Sequence, residues 1–383
     1  MRDDAPPGPL TVEVRADAPD AAARIVALVA PCDPAIVLIF GPQGTAFEAV
    51  ARGLRARLPA NCTIAGCSSA GEIGPCGYAS GSVVAVAFPS ATFRGQAMVL
   101  RDLPFLPVSD WMADLRRMQA AFRPDPRRKT FGILLADGLA GQEDVLVATI
   151  EAALPALPVL GGSAGDGLDF RRTTLIADGE VTTDVAVFLM VETDLSVAEV
   201  TFAHFSLSDT LAVVTDAIPE RRLILELNAE PAAAEYARLT GIPQDRLTPT
   251  EFARHPLLLK MGKRHHVRAI RGITEEGGLS LLSAIDTGTV LRLGRAEDLI
   301  HGFVGAIEAL PRPPLMVLGF DCILRRLAIE RAGLSATMSD MFARYRIAGF
   351  STYGEQHSGM HVNQTFVGLA FMPPESGGAD VAA

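Results

Sequence analysis

The chain has 383 residues, 49% of them hydrophobic and 20% charged, which is enough apolar material for a sizeable core and excludes a disordered or fibrous chain. A formal net charge of −10 weighs against a nucleic-acid partner, because phosphate binding needs a positive field. The five cysteines (Cys32, Cys62, Cys67, Cys76 and Cys322) are odd in number and form no C-x-x-C pair, so neither a disulfide framework nor a thiolate zinc site is expected, and a reducing cytoplasm fits best.

Residues 1–34 read as an N-terminal segment with no secretory layout, and its Pro-rich first dozen residues are expected to fray. No stretch approaches the ~20 uninterrupted apolar residues of a membrane span, so no membrane insertion is expected. From Ala35 a unit repeats. AIVLIF at 35–40 is a short strand, Gly41-Pro-Gln-Gly breaks it, residues 46–58 carry apolar groups at helical spacing, and TIAGCSSAGE ends a second strand. The second copy runs Phe131–Leu135, a break at Asp137-Gly138, a helix over Val145–Leu154, then VLGGSAGDG. A third runs Leu315–Leu318, Gly319-Phe320-Asp321, a helix through Arg325–Ile329, then IAGFSTYGEQ. Each turn leads into a β-rich run, at 82–88, 185–191 and 365–371.

Strand–helix–strand units with short connectors predict an α/β fold, built from repeats with glycine-rich turns. The middle reads differently: strands at 267–273 and 289–293, a strand, turn and helix over 223–241 closed by Gly241, and turn chemistry at both ends of 277–288. Two domains are expected, 35–195 and 196–373, followed by a disordered tail at 374–383.

The three turns align as Gly66-Cys67-Ser68-Ser69-Ala70-Gly71-Glu72, Gly161-Gly162-Ser163-Ala164-Gly165-Asp166 and Gly349-Phe350-Ser351-Thr352-Tyr353-Gly354-Glu355. Gly, Ser, Gly and a carboxylate recur, whereas the Cys does not. A nucleophile is one atom facing a base and has no reason to occur three times, so the repetition points to backbone geometry. On that reading Gly supplies positive φ, Ser caps the turn and the acid accepts from exposed amides. A nucleophile elbow also fails locally, because G-x-S-x-G needs glycine where Ala70 stands. The competing enzyme reading is a hydrolase or transferase using Ser68 or Cys67. Turns gathered at strand ends make the rim of a pocket, into which Glu72, Asp166 and Glu355 point unless they merely cap turns.

His204, in VTFAHFSLSDT, reads either as a core histidine or as an axial haem ligand. His357 and His361 have the i, i+4 spacing of a helical metal pair, but Gly354 and Gly359 argue against a helix, and no third ligand is evident. The basic strip Lys260, Lys263, Arg264, His265, His266, Arg268 and Arg271 reads as the solvated face of a strand.

AGCSSAGEIG and VLGGSAGDG resemble the paired N-terminal motifs of FIST domains. The second half is similar to the FIST C-terminal domain, through VTDAIPERRLILELNAEPAAAEYARL, Arg268, Asp286-Thr287-Gly288, FDCILRR, and GFSTYGEQ with HVNQT. The likeness spans about 35–372. It implies a non-catalytic sensory protein binding a small, amino-acid-like ligand or, in one branch, haem for sensing nitric oxide, and signalling through a separate histidine kinase or diguanylate cyclase. Gly66, Ser68, Gly71, Glu72, Gly161, Gly162, Asp166, Arg268, Cys322, Arg325, Gly354, Glu355, Asn363 and Thr365 match family motif positions. After His204 the chain has Phe205-Ser206-Leu207, where family members often continue with a Gly-Trp-like pair. The expected ligand-binding set is Gly66, Ser68, Gly71, Glu72, Gly162, Ser163, Asp166, Arg268, Arg325, Glu355 and Asn363, with His204 as the haem-ligand candidate.

Overall fold

The computed structural model describes residues 6–261 and 264–374. The repeat seen in the sequence is three copies of one unit. The first is β1 (Leu10–Arg15), α1 (Ala21–Val29), β2 (Pro34–Gly41), α2 (Thr45–Arg55), β3 (Thr63–Ser68), a hairpin β4 (Glu72–Gly74) and β5 (Gly77–Ala79), and β6 (Ser82–Pro89). The second is β7 (Phe93–Leu100), α3 (Val108–Phe122), β8 (Lys129–Ala136), α4 (Glu143–Ala153), β9 (Val159–Ser163), a hairpin β10 (Leu175–Ala177) and β11 (Glu180–Thr182), and β12 (Ala186–Thr193).

The third unit opens with β13 (Ser196–Ala203) and is then interrupted. Its interruption comprises β14 (Phe205–Ile218), β15 (Leu223–Leu227), β16 (Glu230–Pro231), α5 (Ala232–Thr240), α6 (Pro249–Arg254), β17 (Leu257–Met261), β18 (Arg264–Arg268), β19 (Ile270–Ile273), β20 (Leu279–Leu281) and β21 (Val290–Ala296). The unit resumes with α7 (His301–Glu308), β22 (Met316–Cys322), α8 (Ile323–Arg331), α9 (Ser335–Arg344), β23 (Ile347–Thr352), a hairpin β24 (Glu355–His357) and β25 (Met360–Val362), and β26 (Thr365–Met372). Ser196, the expected start of the second half, is thus the first residue of the third unit's opening strand.

Each unit builds a mixed sheet in which the two crossover strands pair in parallel, as β2 with β3, β8 with β9 and β22 with β23. Each sheet is completed by a neighbour's hairpin. β4–β5 of the first unit joins the third unit's sheet, β10–β11 joins the first, and β24–β25 joins the second. Edges that would otherwise be open are closed by this cyclic exchange, which ties the three units into one body.

Strand alternation assigns the faces. Ile36, Leu38 and Phe40 point inward to a shared core with Ile133, Leu135, Leu318 and Phe320, while Val37 and Ile39 face α1 and α2. Phe88, Phe93 and Phe131 each lie within 6 Å of the Phe371 ring at that centre. The interrupting segment forms an eight-stranded, barrel-like sheet with its own core around Tyr236, Phe252, Leu279 and Leu291. Gly241, at φ 72°, ends α5 as its sequence position predicts.

Two expectations need correction. The first dozen residues do not all fray, because Leu10, Thr11 and Val12 pair with Ala87, Val86 and Ala85; residues 1–5 and 375–383 lie outside the described residues. The basic strip is not a solvated face throughout, because Val267 on the same strand bridges Asn363 and buries its neighbours His266 and Arg268. Lys263 lies outside the described residues. As the glycines implied, His357 and His361 stand in a hairpin, not a helix.

Candidate functional site

The three glycine-rich turns meet at the centre of the molecule. The Ala70 N–H donates to the Ser351 carbonyl (2.9 Å), Tyr353 N–H to Ser163 (3.1 Å), and Gly165 N–H to Ser68 (3.0 Å), closing a ring of backbone hydrogen bonds. The recurring glycines have a packing cause. A Cβ at Gly66, Gly161 or Gly349 would lie 2.0, 1.8 or 1.8 Å from the carbonyl oxygen of Ile39, Leu134 or Gly319 on the adjoining parallel strand. Only hydrogen fits there.

The recurring serines are also structural. Ser68, Ser163 and Ser351 are fully buried, accepting from the Thr174 amide (2.9 Å), Gln356 Nε2 (2.8 Å) and Arg326 Nη1 (3.4 Å) respectively. They lock neighbouring turns together and do not cap their own. Ser69 does that, its Oγ accepting from the Gly71 amide (3.2 Å). Cys67 is wholly buried, and burial pushes its thiol well above the usual range, which keeps it protonated.

The acids do not align as the sequence suggested. Glu72 pairs with Phe350 and Glu355 with Gly162, each in an exchanged hairpin; the residue that pairs in this register with Cys67 is Leu175. Residues 166–173 are an insertion, and Asp166 belongs to it. The Asp166 carboxylate accepts from the Phe170, Arg171 and Arg172 amides (2.9, 2.8 and 2.8 Å) and from the Tyr353 hydroxyl, organising the inserted loop. Its pKa is lowered by these bonds in spite of partial burial.

Glu72 and Glu355 share a surrounding that the sequence did not reveal. Ser69 Oγ lies 2.6 Å from Glu72 Oε1, and the Ser82 amide 3.4 Å from Oε2. At Glu355 the same roles fall to Thr352 and Thr365, whose Oγ1 lies 2.6 Å from Oε2. Both side chains are inaccessible, and burial raises Glu72 to about 7 and Glu355 to about 8 against the pull of these hydroxyls. In the second unit the three positions are Ala164, Leu175 and Val185, all in the hydrophobic core. A ten-residue spacing from acid to hydroxyl, Glu72 to Ser82 and Glu355 to Thr365, was the available signal.

Beside Glu72 the surface opens into a cleft of about 370 Å³. It is lined by Ser69, Gly71 and Glu72 from the first turn, Ser80 and Gly81 before β6, Pro42 and Gln43 after β2, and Asp166, Asp169, Arg171 and Arg172 from the insertion. Gly71 has φ 128° and faces Arg326, whose Nη1 would lie 1.7 Å from a Cβ there. Arg326 also reaches Ser80 Oγ (3.3 Å) and stacks over Tyr78, fixing the cleft floor. Of the expected set, the cleft gathers Gly71, Glu72 and Asp166.

The rest are elsewhere. Arg325 is fully buried, bonded to Asp321 (2.5 Å) among the rings of Phe202, Phe303 and Phe366. A Cβ at Gly162 would meet Thr352 Cγ2 at 2.4 Å. Arg268 and Asn363 lie where the barrel meets the third unit, whereas Glu355, in the hairpin strand that pairs with Gly162, is enclosed by Thr352 and Thr365. Sequence reasoning missed Ser69, Ser80, Gln43 and Arg326.

His204 joins β13 to β14, is 3% exposed, and packs with its ring 4.0 Å from that of Phe205. Burial first, then the positive Arg325, lower its pKa to about 3. A neutral imidazole suits iron, but this ring is packed among side chains and is 3% exposed. Its surroundings do not fit a haem. Among the described residues no group of three or more His, Cys, Asp or Glu is placed to hold a metal ion. No helix is long and apolar enough to cross a membrane.

The site is thus a small mixed-charge cleft beside a glycine-rich turn on an α/β scaffold. The chain matches the FIST N domain over residues 35–230 and the FIST C domain over residues 232–358, and it belongs to the FIST family, whose domains are small-ligand sensors. No curated protein matches it.

Proposed function

We propose that this protein is a non-catalytic sensor that binds an amino-acid-like ligand in the cleft beside Glu72 and passes occupancy to a separate protein. The observation that carries this reading is the cleft's lining. Asp166, Asp169, Arg171 and Arg172 line a space of about 370 Å³ beside Glu72, whose own carboxyl is buried on Ser69 and Ser82. That volume is at the small end of ligand pockets, and both signs of charge suit a zwitterion. Ligand can bias such a protein only through unequal affinity for two states. The insertion 166–173 is the element both exposed to the cleft and tied to the third unit, through Tyr353. The partner implied by the family resemblance is a histidine kinase or a diguanylate cyclase.

The test is a thermal-shift screen of free amino acids with absorbance and turnover measured on the same sample. Stabilisation by at least one amino acid, no Soret band and no ester or amide hydrolysis are expected. A ligand at 100 times its Kd stabilises by about 2.7 kcal/mol. Steady turnover abolished by Ser68→Ala or Cys67→Ala would replace the sensor reading with the hydrolase one. A Soret band lost in His204→Ala would replace the amino acid with haem.

A further inference from the structure

The open cleft has a counterpart that the barrel roofs over. Ser80, which lines the cleft, stands eight residues after Glu72; Asn363 stands eight after Glu355. Where Ser80 is exposed, Asn363 is fully buried, its Oδ1 accepting from Ser283 Oγ (2.9 Å) and its backbone bridging Val267 of the barrel. The barrel is pinned across this place by Arg222, 2.6 Å from Glu143, and by the Ala284 amide, 3.1 Å from Asp144.

Under that roof lies a guanidinium with no carboxylate of the described residues in direct contact, Asp144 and Asp286 acting on it only from a distance. Arg268 is 8% exposed, and its one hydrogen bond among the described residues is from Nη1 to the His361 carbonyl, long at 3.4 Å. Its Nε is buried with no hydrogen-bond partner among the described residues, and the acids acting on it, Asp144 and Asp286, make no hydrogen bond with it. A buried arginine is ordinarily paired, because an isolated charge out of water is costly. Close by, His361 Nδ1 is also buried without a partner, and the imidazole lies against Gly354, where a Cβ would meet its Cε1 at 2.1 Å. Two unsatisfied donor-capable groups from two different domains therefore share one buried place. On that flank the imidazole lies against the Gly354 backbone, with the Asn363 amide nitrogen 3.0 Å from the place a Cβ would take.

We infer that Arg268, with His361 and Asn363 beside it, is a second binding site, for a small carboxylate anion held between the barrel and the third unit. The guanidinium fork matches a carboxylate in two parallel bonds, which no other group there supplies. A ligand in this position touches both domains, so its occupancy sets how tightly the barrel docks. The site is separate from the cleft beside Glu72, and either can fail alone.

The experiment uses the whole protein with lactate, pyruvate and L-alanine as probes and chloride as the ionic-strength control. Melting temperature and hydrogen exchange at 264–268 and 355–363 are read for wild type, Arg268→Gln, Arg268→Lys and the double variant Arg171→Ala/Arg172→Ala. The expected result is that at least one carboxylate, and not chloride, raises the wild-type melting temperature and protects both segments. Arg268→Gln abolishes this, Arg268→Lys weakens binding about tenfold by losing the bidentate geometry, and the double variant retains it. Should Arg268→Gln fail to fold, the Lys variant decides. No carboxylate effect on wild type overturns the inference, as does equal binding by the Arg268 variants. Loss in the double variant alone also overturns it and assigns the carboxylate to the open cleft.

Discussion

Glu72 and Leu175 occupy the same register position in two copies of one unit, the first opposite Phe350 and the second opposite Cys67. Around Glu72 stand Ser69 and Ser82; around Leu175 stand Ala164 and Val185. The acid and its hydroxyls have thus changed together into an apolar triplet, while Glu355 with Thr352 and Thr365 keeps the polar version. A buried carboxyl is tolerated only with its hydrogen-bonding partners, and where the partners are missing the acid is missing too.

This coupling is open to a direct stability measurement. Leu175→Glu alone should cost roughly 2–4 kcal/mol, since the carboxyl meets Ala164 and Val185. Adding Ala164→Ser and Val185→Thr should return about 1–2 kcal/mol of that loss. Urea denaturation of the single and triple variants checks it; a triple variant no more stable than Leu175→Glu contradicts it.

The two buried glutamates also give stability a pH dependence of defined sign. Their folded pKa values, raised by burial to about 7 and about 8, exceed the value of 4.5 for an unperturbed glutamate. The folded state therefore binds protons more tightly. Their favourable contribution is complete below about pH 4.5 and is lost as the pH rises through 7 and 8. Between pH 5 and 9 wild type should lose stability on the order of 3 kcal/mol at Glu72 and 4 kcal/mol at Glu355 relative to a Glu72→Gln/Glu355→Gln variant. Denaturation curves at stepped pH that stay parallel for the two proteins would refute this.

Thiol labelling separates the sensor reading from a cysteine enzyme. Cys76 is exposed, Cys32 partly so, and Cys62, Cys67 and Cys322 are buried. Native protein should react fast at Cys76, slowly at Cys32, and at Cys67 only on unfolding. Fast alkylation of Cys67 located by peptide mapping would mean that the turn opens in solution.

Much of this architecture was legible in the chain. Short apolar runs such as AIVLIF, the breaks after them, and the matched turns were enough to place the strand–helix–strand units and to explain the glycines as backbone geometry. The exchange of hairpins was not legible. Glu72 pairs with Phe350, far along the chain, and such pairing leaves no local pattern. Asp166 misled for a related reason. It follows Gly165 as a repeated acid should, but it begins an insertion, and its register partner Leu175 carries no trace of an acid. Arg268 looked like a solvated charge because its burial depends on a barrel packed over β25, a contact between distant segments. Ser69 and Arg326 were missed because each acts through a neighbour, one through Glu72 and the other through Ser80 and Ser351.

The central claim, that the cleft beside Glu72 receives the ligand, is tested most directly by calorimetric titration of the free amino acid that best stabilises the protein. Wild type should bind it with a 1:1 stoichiometry at this site. Gln43→Trp, which fills the cleft, and Arg171→Ala/Arg172→Ala, which removes its cations, should each lose at least tenfold in affinity with unchanged melting temperature in the absence of ligand. Unchanged affinity in both variants would contradict the account.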